Sequence, residues 1–463
     1  MERKNAWAAY AGDDGRVEAF AKAYCDFINN GKTERECVAY GEKLAKAHGF
    51  EDLNAVVRSG RKLEAGARVY ANWMGKSFML FVLGEKPLEE GMNILGAHID
   101  SPRIDVKQNP LYEDTDLAYL DTHYYGGIKK YQWVAIPLAL HGVIVRKTGE
   151  KVIINIGEDE NDPVFCISDL LVHLAQEQMT KNAKEVVEGE ALNLIVGGRP
   201  LEGEEKDAVK ANVLKLLDDK YGVEEEDFLS AELEIVPAGK ARDMGFDRSM
   251  ILAYGHDDRV CAYPSMMAVL DYEGTPEYTL CCIVTDKEEI GSVGATGMAS
   301  HYLENTVAEL YACTADYCEL AVRRCLRNSR MLSSDVSAGY DPNFASAFEK
   351  KNSAFLGRGI CFNKFTGSRG KSGSNDANPE FMASLRKIMD DAGVAFQTAE
   401  LGRVDLGGGG TIAYLCAKYG MNVIDSGIAV LSMHAPYEII SKVDLYEGYR
   451  CYCAFLKGAK PVD

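Results

Sequence analysis

Five short stretches place histidine and carboxylate side chains where divalent cations and a mobile proton could be handled. The first is Gly96-Ala97-His98-Ile99-Asp100-Ser101-Pro102. Side chains alternate along a strand, so His98 and Asp100 share a face. His98 can ligate a metal while Asp100 supports a ligand, or metal-bound water, from behind. A strand end with a turn aspartate before Pro102 explains the same letters without chemistry. The second is Asp286-Lys287-Glu288-Glu289-Ile290-Gly291-Ser292. At a strand-to-loop junction both glutamates can reach one cleft, one binding metal and the other taking a proton from water. A solvated charge pair is the plain alternative. The apolar TLCCIV before it and GSVGATG after it argue against that. The third is Tyr254-Gly255-His256-Asp257-Asp258-Arg259, where Asp258 can bridge two cations through its two oxygens. One of the two aspartates can equally cap the helix expected over VCAYPSMMAVLDY, and the letters do not say which. The fourth is Ser333-Ser334-Asp335, ligand or loop aspartate. The fifth is Leu431-Ser432-Met433-His434-Ala435-Pro436, ligand or core histidine. The chain has 8 histidines in all, so few can be ligands.

These residues need a frame. NILGAHID, MILAYGHDD, TLCCIVTDKEE and VIDSGIAVLSMH are apolar runs that end in acidic or histidine residues. Buried parallel strands read this way, and ligands of open α/β sheets gather at the strands' C-terminal ends. Four such ends converging on one crevice would make a metal site. Earlier in the chain, Thr33-Glu34-Arg35-Glu36 is a capping box before a helix, and RVYANWM and SFMLFVL read as strands. From about residue 104 to 245 the texture changes. WVAIPLALHGVIVR and KVIINIG look like β-strands, with helical patterns near CISDLLVHLAQEQM and EEKDAVKANVLKLLDDKYG. The first candidate ligand precedes this block and the others follow it. The expected fold is therefore α/β, with a β-rich domain at 104–244 inserted into a catalytic domain formed by 1–103 and 245–463.

Bulk properties set limits. The chain has 463 residues, 47% hydrophobic and 26% charged, which is an ordinary globular balance. Its formal net charge of −19 argues against nucleic acid or an anionic membrane as partner. No signal-peptide pattern and no long apolar run occur, and the 13 cysteines are scattered, so a cytoplasmic protein with reduced thiols is expected. No G-x-S-x-G motif suggests a serine nucleophile.

Taken in order, GAHIDSP, DKEEIGS, SSDV with DPN (341–343), and LSMHAP resemble the aspartyl aminopeptidase / vacuolar aminopeptidase I family over most of the chain. GSRGKSGSNDA (367–377) and DLGGGGT (405–411) are most similar to its bacterial aminopeptidase 1 branch. The resemblance implies a discontinuous three-layer αβα catalytic domain of the two-metal exopeptidase type, with a β-rich assembly domain inserted. It implies two divalent ions, zinc first, with manganese or cobalt compatible with the same donors. His98, Asp258 and Asp335 match the ligands of one ion. Asp258, Glu289 and His434 match those of the other, Asp258 bridging. Glu288 matches the general acid/base and Asp100 the partner behind His98. Peptide substrates and a self-assembled dodecamer are implied as well. Two departures stand out. Tyr131 falls where aspartyl-specific members carry a histidine that reaches a neighbouring subunit, and Asp341 replaces the histidine of a His-Pro-Asn.

The expected reaction is metal-assisted hydrolysis of the N-terminal peptide bond, with neutral, hydrophobic or acidic N-terminal residues as substrates. Gly407 to Gly410 can shape a substrate wall, or simply form a turn before TIAYLCAKYG. A two-metal carboxypeptidase or amide deacylase shares the same core chemistry. A metal-binding scaffold without turnover is the non-enzyme alternative.

Overall fold

The computed structural model describes residues 4–367 and 369–462. Ser368, within GSRGKSGSNDA, lies outside the described residues. Four parallel strands form the centre of a nine-stranded sheet: β1 (Met92–His98), β2 (Thr279–Thr285), β3 (Arg330–Ser334) and β4 (Asn422–Gly427), in the order β2-β1-β3-β4. Every residue of β1, β2 and β3 is buried, which is why these segments carry no polar alternation.

Alternate residues feed two cores. Leu95, Ala97, Cys282, Val284, Leu332 and Ile424 face one, packed by the helices Glu34–Ala47, His256–Leu270 and Lys442–Gly458. Ile94, Cys281, Ile283, Met331 and Val423 face the other, packed by Tyr302–Thr314 and Glu319–Asn328. Helices on both faces make the three-layer αβα arrangement. Each fully buried aliphatic side chain contributes about 1.5–3 kcal/mol to holding it. The capping box is formed: the Thr33 hydroxyl accepts from the Glu36 amide at 3.3 Å, and the Glu36 carboxylate returns to the Thr33 amide at 3.2 Å.

The chain divides into two compact units. One comprises the described parts of Met1–Asp100, Ala241–Met433 and Glu438–Asp463; the other is Ser101–Lys240 with His434–Tyr437. The second unit is built on a six-stranded antiparallel sheet in the order Lys151–Ile156, Leu138–Val145, Ala231–Pro237, Arg103–Asp114, Leu117–Tyr125, Leu194–Gly197.

The structure differs from the sequence expectations in two places. CISDLLVHLAQEQM is not helical: Cys166 bridges to Ile195 and Phe165 to Leu138, drawing the segment onto the sheet. Leu170, Leu171, Val172 and Leu174 are left exposed, so no apolar face was buried to support a helix. The helix expected in the following block is present as Ala208–Tyr221. Secondly, the four apolar runs do not all end in the parallel sheet. Met250–Ala253 pairs antiparallel with Glu438–Ser441 in a separate five-stranded sheet, and Ala429–Leu431 joins that sheet too. Among the described residues all 13 cysteines are free, and no helix is long and apolar enough to cross a membrane.

Candidate active site

His98 closes β1, and β2 runs directly into Asp286 and the two glutamates, so parallel pairing brings these groups to one edge of the sheet. His98 is 2% exposed. Its Nδ1 lies 2.9 Å from the Asp100 carbonyl oxygen and 3.3 Å from Asp100 Oδ1. Its Nε2 points the other way, 3.2 Å from Asp257 Oδ1 and 4.0 Å from Asp335 Oδ1. Burial opposes protonation of this ring. The carboxylates of Asp100, Asp257 and Glu288 outweigh it and hold the ring's pKa well above the usual histidine range.

Asp100 is fully buried and does more than touch the ring. Its Oδ1 accepts the backbone N–H of Glu288 and its Oδ2 that of Glu289, both at 3.2 Å. A left-handed Lys287 (φ 67°) turns both amides toward it, a backbone conformation costing of order 1 kcal/mol. Asp286, at the base of the same loop, is buried too; Thr296 donates to its Oδ2 at 2.6 Å. Burial raises its pKa to about 6, and the charges of Glu34 and Asp100 add to the shift.

The neighbouring aspartates of the third stretch part company. Asp257 Oδ1 faces the imidazole, whereas Asp258 Oδ2 accepts the backbone N–H of His98 at 3.4 Å. Both depart from helical backbone angles at the head of His256–Leu270, so the regular helix begins only after them. Each of the two aspartates falls in a possible ligand set with His98: Asp258 with Asp335, as the sequence suggests, and Asp257 with Glu289. The only sequence signal for Asp257 was the adjacency that left the two indistinguishable. Asp335 follows β3, and its own N–H donates to the Ser426 oxygen of β4 at 3.3 Å. Burial raises the pKa values of both Asp258 and Asp335 well above the carboxylate range; the charge of Asp257 adds to this at Asp258 and that of Glu288 at Asp335.

Asp425, also unremarked in the sequence, lies in β4 opposite Ser333. It is 1% exposed and accepts the Thr411 hydroxyl at 2.5 Å. Burial, with Glu288's charge as a further cause, raises its pKa to about 7.

Around His98, two sets of ligand atoms lie within 4.8 Å of one another: His98, Asp258 and Asp335; and His98, Asp257 and Glu289. Two carboxylates 4 Å apart repel by about 4 kcal/mol at an effective dielectric of 20. So many buried acids around one imidazole are compatible with full ionisation only if cations balance them. Oxygen and imidazole donors without thiolates fit zinc, manganese or cobalt. His434 belongs to the second unit, where its Nδ1 lies 3.0 Å from the Gly127 oxygen. A Cβ at Gly127 would come within 3.3 Å of that ring nitrogen, so a glycine suits the contact. Tyr131 is half-exposed in the short turn Lys130–Gln132, and Asp341 caps Pro342–Ala347 by accepting the Asn343 N–H.

Comparison with known proteins agrees with this chemistry. The sequence profile of the aminopeptidase I zinc metalloproteases (M18) matches residues 27–456. A probable M18 family aminopeptidase 1 of Clostridium acetobutylicum is 58% identical over 459 residues, 98% of each chain. The crystal structure of an M18 aminopeptidase from Thermotoga maritima superposes with a TM-score of 0.94 at 44% identity, covering 99% of this chain and 100% of that one. At 21% identity, the S. cerevisiae mApe1 dodecamer structure shares the fold, with a TM-score of 0.76 over 96% of this chain and 97% of its own. The chain belongs to the aminopeptidase I (M18) family of zinc metalloproteases and is a metalloaminopeptidase.

Proposed function

We propose that the chain removes N-terminal residues from peptides with two divalent ions held around His98. The observation that carries this reading is the imidazole flanked by Asp257 on one nitrogen and Asp100 on the other, with Glu289 and Asp335 close by. Asp257, whose carboxylate faces His98 Nε2, would hold an ion together with that ring and would be the carboxylate shared between the two. His98 and Asp335 would complete one site and Glu289 would contribute to the other. The assignment of His434 to the second ion rests on its LSMHAP motif. A divalent ion bound here supplies Lewis acidity, lowering the pKa of water and polarising the scissile carbonyl. Glu288 removes the proton from the attacking water and delivers it to the leaving amine. Asp100 keeps Glu288 and Glu289 in register by holding both their amides, and it fixes the imidazole tautomer from Nδ1.

Specificity is not strictly acidic in this reading, because Tyr131 stands where a cross-subunit histidine serves aspartyl-specific relatives. A panel of aminoacyl substrates tests it on the metal-loaded enzyme. Neutral and hydrophobic residues should be released at rates at least comparable with aspartyl and glutamyl ones. Cleavage of the two acidic substrates alone would refute the claim, and activity on N-terminally blocked peptides would favour a carboxypeptidase or deacylase.

The proposal extends to a cytoplasmic, closed homo-oligomer, a dodecamer first. The exposed apolar side chains at 170–174 and the open sheet edges of the second unit support self-assembly there. Solution mass decides it: about twelve times 50.8 kDa is expected, and an active monomer at micromolar concentration would rule assembly out.

A further inference from the structure

The loop that carries Glu288 and Glu289 leaves β2 at Asp286 and comes back beside it at Thr296 and Gly297. Its two ends meet closely. Asp286 bridges to Gly297 in parallel register. A Cβ on Gly297 would stand 2.2 Å from the Ser292 oxygen, so a glycine is needed for the returning leg to lie against the outgoing one. The far bend has no such packing, because Ile290, Gly291 and residues 293–295 are exposed. Within the bend, the Ser292 N–H donates to the Lys287 oxygen at 2.7 Å and the Gly291 N–H to the Glu288 oxygen at 2.9 Å. These bonds make the bend one tight turn, whose placement depends on how its neck is held.

Buried polar side chains hold that neck. The Thr296 hydroxyl donates to Asp286 Oδ2 at 2.6 Å. Ser77, which opens the strand Ser77–Val82, donates to the Thr296 oxygen at 2.5 Å and accepts the Asp286 N–H at 3.3 Å. Lys287 Nζ lies 3.4 Å from the same Asp286 oxygen. Further out, Trp73 Nε1 donates to the Ala295 oxygen at 2.8 Å. Ser77 and Asp286 are fully buried and Thr296 is nearly so. Asp286 belongs to neither ligand set around His98, and its Oδ1 has no hydrogen-bond partner among the described residues. A buried carboxylate that is only half-satisfied costs stability, so Asp286 is explained by what it fastens and not by its packing.

We propose that Asp286, Thr296 and Ser77 form a latch at the neck of this loop, and that the latch positions Glu288 from behind while Asp100 grips the loop's amides from in front. The two glutamates depend on it unequally. Glu289 would be tethered at its carboxylate by the ion it helps to hold. Glu288 ligates no ion in this reading, so the loop backbone alone aims its carboxylate. Loosening the neck therefore acts on proton transfer and leaves metal binding in place. This rests on the reading of Glu288 as general base, which it deepens.

Thr296→Val keeps the shape of the side chain and deletes the hydroxyl, whereas Thr296→Ser keeps the hydroxyl. Each is loaded with zinc and assayed on the best substrate of the aminoacyl panel. In Thr296→Val, kcat per folded subunit should fall at least about tenfold, inside the roughly hundredfold that a 1 Å misplacement can cost. KM and zinc content should stay within about twofold of wild type, and Thr296→Ser should restore kcat. In the metal-free proteins, hydrogen exchange of the amides at 288–295 should speed up in Thr296→Val and not in Thr296→Ser. Ser77→Ala cuts the latch from the strand side and should reproduce the kcat loss; it decides the question where Thr296→Val does not fold. A contact that only stabilises the fold would lower Tm and leave the kcat of folded enzyme alone. Accordingly, kcat within about twofold of wild type in the folded variant overturns the latch. Glu288→Gln, run alongside, separates the two claims. Wild-type turnover there overturns Glu288 as the base and the latch with it. Lost turnover there, with wild-type kcat in the latch variants, overturns the latch alone.

Discussion

Glu288→Gln should lower kcat by at least about 10²–10⁴-fold, the usual contribution of a positioned general base, while bound zinc stays at the wild-type level. The amide keeps the shape of the side chain and cannot accept a proton. The loop should hold, because what Asp100 grips is the backbone N–H of Glu288, which the substitution leaves in place. Glu289 keeps its own amide on Asp100 Oδ2, so the ligand set is undisturbed. Turnover and metal content, measured on the same preparation, check this. A variant that retains a tenth of wild-type turnover would remove Glu288 from the role, and one that loses zinc would make it a ligand.

Asp257→Ala should abolish hydrolysis by removing metal. Its Oδ1 lies 3.2 Å from His98 Nε2, and in the proposed arrangement one carboxylate serves both ions. Asp258→Ala should behave differently. Asp258 accepts the His98 amide at 3.4 Å, and its loss leaves a buried N–H short of an acceptor. The expected outcome is a stability loss of roughly 1–3 kcal/mol with zinc retained. The contrast is large because one substitution removes ligation and the other removes support.

Much of this centre could be read from the sequence because its signals are local. His98 and Asp100 share a strand face, Glu288 and Glu289 follow an apolar strand, and Asp335 follows another; the structure brings all five to one edge of the sheet. The Thr33–Glu36 capping box likewise depends on four adjacent residues. What the letters could not supply depended on direction and distance. Two adjacent aspartates differ only in where the backbone turns each carboxylate, so the letters do not tell Asp257 from Asp258. Asp425 sits mid-strand in Asn422–Gly427, and its hydrogen bond comes from Thr411, 14 residues away in the chain, which spacing does not reveal. The segment at 166–179 has a helix-like pattern, but pairing of Phe165 and Cys166 with the sheet overrode it. His434 could be picked out by its motif, whereas its contact with Gly127 spans 307 positions and left no trace in spacing.

In the proposed centre Asp257 joins His98, Asp335 and Glu289 in holding two ions. Counting zinc per subunit tests it most directly, in the wild type, Asp257→Ala and Asp258→Ala, each stripped with chelator and reloaded. Two zinc ions are expected in the wild type and in Asp258→Ala, recovered together with hydrolysis. At most one weakly held ion, and no hydrolysis, is expected in Asp257→Ala. Equal zinc in all three proteins, or hydrolysis that persists in verified metal-free enzyme, would contradict it.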